Sequence, residues 1–413
     1  MKNKLKIFVS AYACEPNLGS EIGVGWHWVL QMSKYFDLWV LTRKSNQTTI
    51  ESWLKENKGY SNINFIYFDL PYYLRFWKKG MRGVRTYYNI WQWATNSIVK
   101  RTMQNNGISI FHHLTYGNAL WSVSSYGQKQ FFIWGPTGGV ETISSEFSKH
   151  YNAKGRGIEW LRRTVVSTLK YNSGFNKRCE NANLVLCKTE FLKDSISPKF
   201  GNKAILFTDV AVASRSFELI NAKNSNETIN YIIVGKLDPW RGFDLIIEAF
   251  ALAKEVAPEI RLKIIGNGAD WNRLQNLIKE KNLNKYIKML GAISMDEYNQ
   301  HMLLSDVVVN PSLKEGAVTT AFDAMALGKP LICTDTLGYT RYFSEDYAII
   351  IPIQNRQMVI NELKEGVLKL TDKELRDKMG VKSQKASEKF TWDARGAEIY
   401  EVISNAFNES VSR

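Results

Sequence analysis

The 413-residue sequence has little of what membrane-spanning, secreted or zinc-binding proteins need. No apolar run approaches the roughly 20 residues that cross a bilayer, so we expect no transmembrane segment. The four cysteines are scattered, which argues against a disulfide framework and a zinc site. These absences favour a reduced, cytoplasmic compartment. The cysteines are Cys14, Cys179, Cys187 and Cys333.

The N-terminus admits two interpretations. Lys2, Lys4 and Lys6 precede the apolar residues 7–13 and Cys14, as in a short signal or lipoprotein peptide. Because that apolar run is at the lower limit of the usual length, a first β-strand is the favoured interpretation.

Acidic residues are absent from positions 70–140. Residues 1–220 hold 29 Lys and Arg against 14 Asp and Glu, a net charge of +15, whereas residues 221–413 hold 25 against 26. The whole excess of positive charge therefore belongs to the first half, which favours an anionic partner for that half.

Two segments, 71–93 and 154–163, mix basic residues with large aromatic or aliphatic ones. Such a mixture suits the surface of an anionic bilayer, where the aromatic side chains enter the interface. The alternative is that the aromatic residues belong to the core and the charges between them are solvated. Nucleic acid attracts the same charge, but no nucleic-acid motif accompanies it, so we expect no nucleic-acid partner.

Short apolar runs alternate with amphipathic segments in two series that meet near residue 210. This alternation predicts an α/β fold with parallel sheets. In such sheets, ligands bind at the carboxyl ends of the strands. The predicted strands are 5–10, 37–41, 64–68, 109–112, 130–134 and 184–187 in the first series and 229–234, 261–265, 287–290, 307–310 and 330–333 in the second.

The most specific segment runs from Asn310 to Pro330. A buried strand ends at Asn310, a loop carries Glu315, and a helix is predicted to begin at the next residue. Free amides at a helix start form an anion site that suits a pyrophosphate. Asp323 follows Glu315 by eight residues, about 12 Å along a helix and roughly on the same side. The residues at this predicted helix start are Gly316, Ala317, Val318 and Thr319.

This segment resembles the Glu-x7-Glu signature of glycosyltransferase family 4, whose members are retaining enzymes of the GT-B fold. The resemblance covers essentially the whole chain and is strongest over 229–335. It implies two Rossmann-like doubly wound domains that face each other across a cleft. Further matching segments follow in the family's order at 235–242, 265–268, 290–291, 311–316 and 324–330.

The resemblance also assigns the domains. Residues 1–210 are predicted to form an N-terminal, acceptor-side Rossmann-like domain. Residues 211–388 are predicted to form a C-terminal Rossmann-like domain that binds the nucleotide-sugar donor. Residues 389–413 are predicted to form a final helix that packs back on the N-terminal domain, as such tails do in this fold.

Carried over by position, Lys236 and Arg241 hold the donor diphosphate, which two cations can do without a metal. Glu315 hydrogen-bonds the donor sugar near the anomeric carbon, and Asp323 accepts from the ribose. The alternatives are a solvated loop for the two cations and a carboxylate that stabilises the helix dipole for Glu315. Two positions depart from the family pattern: Asp323 is one methylene shorter than the usual Glu, and Arg341 stands where a carboxylate is often found.

A glycine-rich loop at residues 14–26 resembles the Gly-Ser-Glu-x-Gly-Val-Gly-Trp loop of one branch of family 4. In that branch it faces the donor phosphate, which implies donor contacts from Gly19 and Ser20. Two readings of Glu21 stay open: a polar residue of the first helical turn, or a group that faces the acceptor. The loop does not match the dinucleotide fingerprint.

His112 and His113 end a predicted strand, where a histidine of the family contacts the donor sugar near its C6 hydroxyl. Because side chains alternate along a strand, only one of the two faces the site, and we favour His113 as a catalytic residue. A packed core histidine is the alternative. Residues 134–139 resemble a segment of the same branch and either line the acceptor side or form a tight turn.

The resemblance implies a retaining, metal-independent hexosyltransferase that uses a UDP- or GDP-linked sugar and no further cofactor. Together with the basic first half, it leads us to expect a lipid-linked or cell-envelope polysaccharide acceptor. We expect a cytoplasmic protein that binds the inner face of the cytoplasmic membrane peripherally. Two alternatives stay open: a soluble family 4 enzyme that acts on a free sugar or glucan, and a catalytically silent nucleotide-sugar-binding subunit.

Overall fold

The structure is a computed structural model that describes residues 4–78, 80, 82–124, 130–212 and 228–412. The chain divides into two compact units. Unit 1 comprises Met1–Val140, Thr168–Asp209 and Trp392–Arg413, and unit 2 comprises Glu141–Ser167 and Val210–Thr391.

Unit 1 alternates strands and helices. Its strands are β1 (Lys6–Ser10), β2 (Asp37–Arg43), β3 (Ile63–Phe68), β4 (Ile110–His113), β5 (Phe131–Thr137), β6 (Leu184–Cys187) and β7 (Ala204–Leu206). Its helices are α1 (Ser20–Ser33), α2 (Gln47–Glu56), α3 (Val84–Ala94), α4 (Asn96–Asn106), α7 (Ser173–Asn181), α8 (Glu190–Phe200) and α15 (Trp392–Val411). Among the described residues the seven strands form one parallel sheet in the order β3-β2-β1-β4-β5-β6-β7. Every residue of β4 and β5 is buried, as expected for central strands covered on both faces.

The last helix, α15, packs on α1 within unit 1. The Trp392 ring stacks on the His27 ring, and the Tyr400 ring stacks on the Tyr35 ring, with centroids 4.8 Å apart in both pairs. These aromatic contacts explain why the chain returns to unit 1 after completing unit 2.

Unit 2 has the same architecture. Its strands are β8 (Ile229–Val234), β9 (Ile260–Ile265), β10 (Ile287–Gly291), β11 (Val307–Asn310), β12 (Leu331–Thr334) and β13 (Ala348–Ile351). Its helices are α5 (Ser145–Ser148), α6 (Ala153–Ser167), α9 (Phe243–Ala253), α10 (Trp271–Glu280), α11 (Met295–Leu303), α12 (Thr319–Ala326), α13 (Arg356–Lys369) and α14 (Lys373–Ser387). In the described part of this unit six parallel strands follow the order β10-β9-β8-β11-β12-β13. The predicted fold class, two Rossmann-like α/β units, is confirmed.

The predicted domain boundary differs from the structure at 141–167. The sequence prediction placed these residues in the first domain, yet they belong to unit 2. The backbone amide of Arg356 donates to Glu146 at 2.9 Å, and Lys314 pairs with Glu159 at 2.5 Å. A single cut at residue 210 missed these contacts because they join segments more than 150 residues apart in sequence.

Strands β4 and β11 occupy equivalent places in the two sheets. β4 lies between β1 and β5, and β11 lies between β8 and β12. In each sheet the strand order reverses beside this strand, and ligands of doubly wound proteins bind outside the carboxyl ends of the strands at such a reversal. In the described part of the chain, no helix combines the length and apolar character that crossing a bilayer requires.

Candidate functional site

Three loops of unit 2 lie against one another at the carboxyl ends of β8, β9 and β11. Gly242 has φ of +69°, and a Cβ on it would lie 2.1 Å from the carbonyl oxygen of Pro311. Gly266 has φ of +134°, and its Cβ would lie 1.9 Å from the carbonyl oxygen of Gly235. Only glycine fits at both positions, since any side chain would collide with backbone. The glycines of the matching segments therefore bring the loops together.

The guanidinium of Arg241 forms an ion pair with the Glu315 carboxylate, with Nη1 2.7 Å from Oε1. Both side chains are largely buried, at 23% and 9% exposed. Arg241 extends past Gly235, where a Cβ would lie 3.4 Å from Nη1. Arg241 and Glu315 are 74 positions apart in the sequence and were assigned to one site. The structure places their side chains in contact.

One oxygen of the Glu315 carboxylate has no hydrogen-bond partner among the described residues. Burial raises its pKa, Arg241 opposes that shift, and Ser312 and Asn310 oppose it less strongly. Its Oε2 atom is buried and makes no hydrogen bond to the described residues. A buried polar atom without a partner is costly, which suits a position that a ligand hydroxyl completes.

Lys236 lies on the same loop but differs from Arg241 in exposure. Its side chain is 67% exposed, and its ammonium is 3.3 Å from Asp238. An exposed ion pair of this kind is weak and exchanges its partner readily. Lys236 is therefore available to an anion that approaches the loop.

Helix α12 begins at Thr319, three residues later than predicted. Gly316, Ala317 and Val318 belong to the loop, so the first amides of the helix are those of Thr319 and Thr320, and of the four predicted residues only Thr319 lies in the helix. Val318 provides no side-chain cap for these amides, and the first amides of a helix have no acceptor within it. The delay has a conformational cause: Val318 is extended, with φ −137° and ψ 100°.

Asp323 and Glu315 do not share a helix, because Glu315 precedes α12. The helical spacing used to relate them is therefore wrong. The Asp323 carboxylate accepts a hydrogen bond from the Tyr298 hydroxyl at 2.6 Å. Burial raises the pKa of Asp323 to about 6, and the bond from Tyr298 opposes that shift.

The segment 335–341 packs against the backbone of Glu315 and Gly316. A Cβ on Gly338 would lie 2.6 Å from the carbonyl oxygen of Glu315, and the Thr336 hydroxyl donates to the same oxygen at 2.7 Å. Arg341 pairs with Asp335 at 3.1 Å. The arginine that replaces the family's carboxylate thus has an acidic partner within its own loop.

In unit 1, His112 and His113 are both buried, at 0% and 1% exposed. The imidazole Nε2 of His113 is 2.9 Å from the Tyr88 hydroxyl, and that of His112 is 2.7 Å from the carbonyl oxygen of Gly135. Burial lowers the pKa of His113 to about 3 and that of His112 to about 4. Both rings are therefore neutral at physiological pH.

The glycine-rich loop of unit 1 leads into α1. Gly19 precedes the helix, which begins at Ser20; the side chain of Ser20 is outside the described part of the structure. The carboxylate of Glu21 accepts the backbone amide of Tyr116 at 2.8 Å. Tyr116 has φ of +57°, so Glu21 holds a strained turn after β4. This contact gives Glu21 a structural role within unit 1.

The segment 134–139 is not a simple loop. β5 continues through Thr137, although its register to β6 shifts between Trp134 and Thr137. A Cβ on Gly139 would lie 2.2 Å from the side-chain nitrogen of Asn118. The predicted loop is therefore mainly strand, because the central position of β5 buries it.

The segment 71–93 divides its aromatic residues between core and surface. Tyr87, Tyr88 and Trp91 on α3 are buried, whereas Tyr72 and Trp93 are each 77% exposed. In unit 2, Trp160 on α6 is 63% exposed. Some aromatic residues of these segments therefore belong to the core, as one interpretation predicts, and others are exposed, as the membrane-surface interpretation requires.

Sequence reasoning missed four residues that the structure places at or beside the predicted ones. Tyr298 binds Asp323, Tyr88 binds His113, and Trp240 and Glu159 lie close to the Glu315 loop. Trp240 had a sequence signal, since it directly precedes Arg241. For Glu159 the only signal was its solitary negative charge within a basic segment.

Residues 216–386 match the family described as Glycosyl transferases group 1. Both members of the Arg241–Glu315 pair lie within the matched residues. An uncharacterised glycosyltransferase of Methanocaldococcus jannaschii is 26% identical over 248 residues, which cover 58% of this chain and 66% of that protein. The matches to the first curated relatives span between 31% and 66% of those relatives' own length.

Two solved structures share the fold over nearly the whole chain. Sucrose-phosphate synthase from Thermosynechococcus elongatus is 15% identical, with a TM-score of 0.65 over 98% of this chain and 100% of that one. Anabaena HepE in complex with UDP-glucose is 14% identical, with a TM-score of 0.58 over 97% of this chain and 100% of that one. The fold is thus of the GT-B type.

Proposed function

We propose that this chain is a retaining glycosyltransferase that moves a sugar from a UDP- or GDP-linked donor to a hydroxyl of a lipid-linked or cell-envelope acceptor. The observation that carries the proposal is the buried Arg241–Glu315 pair at 2.7 Å, in which the second Glu315 oxygen has no hydrogen-bond partner among the residues that the structure describes. It lies within the stretch that matches the glycosyl transferases group 1 family.

The donor diphosphate would bind Arg241, Lys236 and the uncapped amides at the start of α12. Two cations and free amides suit a group that carries about two negative charges. The unpartnered oxygen of Glu315 would accept a hydrogen bond from a sugar hydroxyl. UDP-glucose bound to Anabaena HepE, a protein of the same fold, is consistent with such a donor.

The reaction would break the bond between the anomeric carbon and the β-phosphate oxygen. The acceptor oxygen would form its new bond to the anomeric carbon on the same face of the sugar. The departing phosphate oxygen would take the proton of the acceptor hydroxyl, so that the protein need not provide a general base. Arg241 and Lys236 would stabilise the charge that develops on the leaving group.

Exposed aromatic residues beside cations support a membrane-bound acceptor. In unit 1, Tyr72, Phe76 and Trp93 are exposed in a segment where Arg82 and Arg85 are exposed as well. In α6 of unit 2, the exposed residues Ile158, Trp160 and Leu161 follow the exposed cations Lys154 and Arg156 in the sequence. An anionic bilayer attracts each nearby cation by about 1 kcal/mol and receives the aromatic side chains at its interface.

The release of nucleoside diphosphate from a panel of UDP- and GDP-linked sugars tests the proposal. Each donor is assayed with and without a bacterial lipid extract, for wild type and Glu315→Ala. We expect release from one donor, stimulated by the lipid extract and reduced at least about 100-fold by Glu315→Ala. Retention is tested by nuclear magnetic resonance of the anomeric configuration in the product.

Each alternative has its own outcome. Release that needs Glu315 but no lipid would indicate the soluble enzyme acting on a free sugar or glucan. Donor binding by calorimetry without turnover on any acceptor would indicate the silent binding subunit. A chain that neither binds nor turns over any donor would overturn the proposal.

Sedimentation with liposomes tests the membrane surface separately. Wild type should bind phosphatidylglycerol vesicles, and Tyr72→Ala with Trp93→Ala should weaken that binding about tenfold, since two large apolar groups no longer enter the interface. Val256→Ala is the matched control, because Val256 is 69% exposed but follows an acidic residue. Equal binding to neutral phosphatidylcholine vesicles would contradict an electrostatic attraction.

A further inference from the structure

Helix α6 is unusual in what it buries. Ile158, Trp160 and Leu161 are all more than half exposed, and the only buried residue of this helix, which is described throughout, is Glu159. A surface helix normally buries an apolar stripe. Helix α6 therefore depends on polar contacts for its position. The side chain that it directs inward is the carboxylate of Glu159.

The partner of Glu159 is Lys314, whose ammonium lies 2.5 Å from the carboxylate. The two side chains are 5% and 8% exposed. A buried charge that loses its partner is strongly disfavoured, so each of these residues restricts where the other can be. Lys314 directly precedes Glu315, and the pair thus holds the loop that carries Glu315 from the side of α6.

Trp240 extends this contact to Arg241. The Lys314 ammonium lies 5.5 Å from the centroid of the Trp240 ring, and the Arg241 guanidinium carbon lies 4.5 Å from the same ring. The amide of Leu313 donates to the carbonyl oxygen of Trp240 at 2.9 Å. Because Arg241 in turn pairs with Glu315, a displacement of Lys314 is expected to disturb both members of the Arg241–Glu315 pair.

We infer that Glu159 is a positioning residue for the donor site, acting through its ion pair with Lys314 on the orientation of Glu315 and Arg241. This inference rests on the proposed function, because it presumes that a nucleotide sugar binds at that pair. It assigns a role in the reaction to a helix that comes from the first half of the chain.

The main test compares donor affinity in four proteins by calorimetry with UDP-glucose and GDP-mannose. Glu159→Gln removes the counter-charge of Lys314 and should weaken binding at least about tenfold. The double variant Glu159→Lys with Lys314→Glu restores a pair of opposite charges and should return the affinity to within about threefold of wild type. Such a rescue distinguishes positioning from a general loss of folding.

Arg163→Gln is the matched control. Arg163 anchors the same helix by donating to the carbonyl oxygen of Ile143 at 2.8 Å and to the Ser148 hydroxyl at 3.1 Å, without touching Lys314. It should lower the thermal midpoint but leave donor affinity within about twofold of wild type. Equal weakening by Arg163→Gln and Glu159→Gln, or no weakening by Glu159→Gln, would overturn the inference.

The pH dependence of donor affinity provides a second readout. Burial, followed by the nearby charge of Arg162, lowers the pKa of Lys314 to about 8, while Glu159 and Glu141 oppose that shift. The ion pair is therefore lost as pH rises through 8, and donor affinity should fall between pH 7 and 9. Lys314→Arg keeps its charge over this range and should remove that decline; an unchanged decline would count against Lys314.

Failure of the proposed function would look different. A wild-type chain that binds neither UDP-glucose nor GDP-mannose, nor any other nucleotide sugar of the panel, overturns the proposed function and this inference with it. A wild type that binds a donor with an affinity unaffected by Glu159→Gln overturns this inference alone.

Discussion

The loop that follows β4 in unit 1 and the loop that follows β11 in unit 2 occupy the same topological position, but different kinds of contact hold them in place. After β4 in unit 1 and after β11 in unit 2, a loop is held by a charged residue from the segment that follows the first strand of the unit, β1 or β8. In unit 1 that residue is Glu21, which accepts the backbone amide of Tyr116. In unit 2 it is Arg241, which pairs with the side chain of Glu315.

The two contacts differ in the polar atoms that they leave free to bind a ligand. In unit 1 the carboxylate meets a backbone amide, and the nearby His113 is buried against Tyr88. In unit 2 both members of the contact are side chains, and one oxygen of Glu315 makes no hydrogen bond within the described part of the chain. A side-chain ion pair can be shared with an incoming anion, whereas a backbone contact stabilises the loop and offers a ligand little. This comparison supports the proposal that the donor binds to unit 2.

The largest expected effect comes from breaking the contact in unit 2. Arg241→Gln should lower kcat/KM about 100-fold, because it removes a cation from the diphosphate and leaves Glu315 buried without its partner. Lys236→Gln should lower kcat/KM only about tenfold, since Lys236 is 67% exposed and its ion pair with Asp238 is weak. Steady-state kinetics with varied donor concentration measures both.

Arg376→Gln controls for the loss of a partly buried arginine from unit 2. Arg376 donates to the carbonyl oxygens of Leu370 and Thr371, away from the donor loops. It should change stability but leave kcat/KM within about twofold. Equal losses from Arg241→Gln and Arg376→Gln would contradict a specific role for Arg241.

A smaller effect is expected from the corresponding place in unit 1. Tyr88→Phe removes the hydroxyl that meets His113 and should lower the free energy of unfolding by about 1–2 kcal/mol, because a buried ring nitrogen loses its hydrogen bond. Urea unfolding measures this loss, and Tyr73→Phe, at an exposed tyrosine, should leave stability unchanged.

The pH dependence of the reaction rate tests whether the buried His113 of unit 1 ionises during catalysis. With a pKa of about 3, His113 stays neutral from pH 5 to 9 and should add no ionisation to the profile. An ionisation near pH 6.5 that disappears in His113→Gln would instead indicate a histidine that titrates during catalysis.

The smallest effect concerns Asp323. Burial raises its pKa from the usual 3.8 to about 6, so the folded state holds this proton more tightly than the unfolded chain. The stabilisation by the proton is complete below pH 4 and is lost as pH rises through 6. Asp323→Asn should therefore stabilise the protein relative to wild type by about 1–2 kcal/mol more at pH 7.5 than at pH 4. Thermal unfolding at both pH values tests this expectation, and an equal difference at both would contradict it.

Several features could be predicted because they depend on local pattern. The strands 184–187, 229–234 and 307–310 coincide with the predicted ones, since short, continuous apolar runs have few alternatives to a buried parallel strand. The assignment of Arg241 and Glu315 to one site followed from the resemblance of their segments to family 4, and the structure places the two side chains 2.7 Å apart. The edge strands β7 and β13 were missed, because Ala204–Leu206 and Ala348–Ile351 are short and their flanking residues resemble loops.

The start of α12 shows where local pattern is insufficient. The residues after Glu315 have no signal that prevents a helix, yet Gly316 lies against the backbone of Gly338, where a Cβ would be 2.8 Å from the Gly316 Cα. That contact is made by a segment 22 residues away, and the helix begins only after the extended Val318. The position of the free amides was therefore decided by packing between loops.

The sequence by itself determined the alternation of strands and helices, the parallel sheets and the residues that carry charge at the predicted donor site. The strands and helices follow from the spacing of apolar residues, whereas the charged residues of the predicted site follow from the resemblance of their segments to glycosyltransferase family 4. Tertiary structure alone decided that 141–167 joins unit 2, that Glu159 is buried against Lys314, and which aromatic residues of 71–93 are exposed. Apolar or charged character shows that a residue needs a partner, but which partner it finds depends on contacts between segments far apart in the chain.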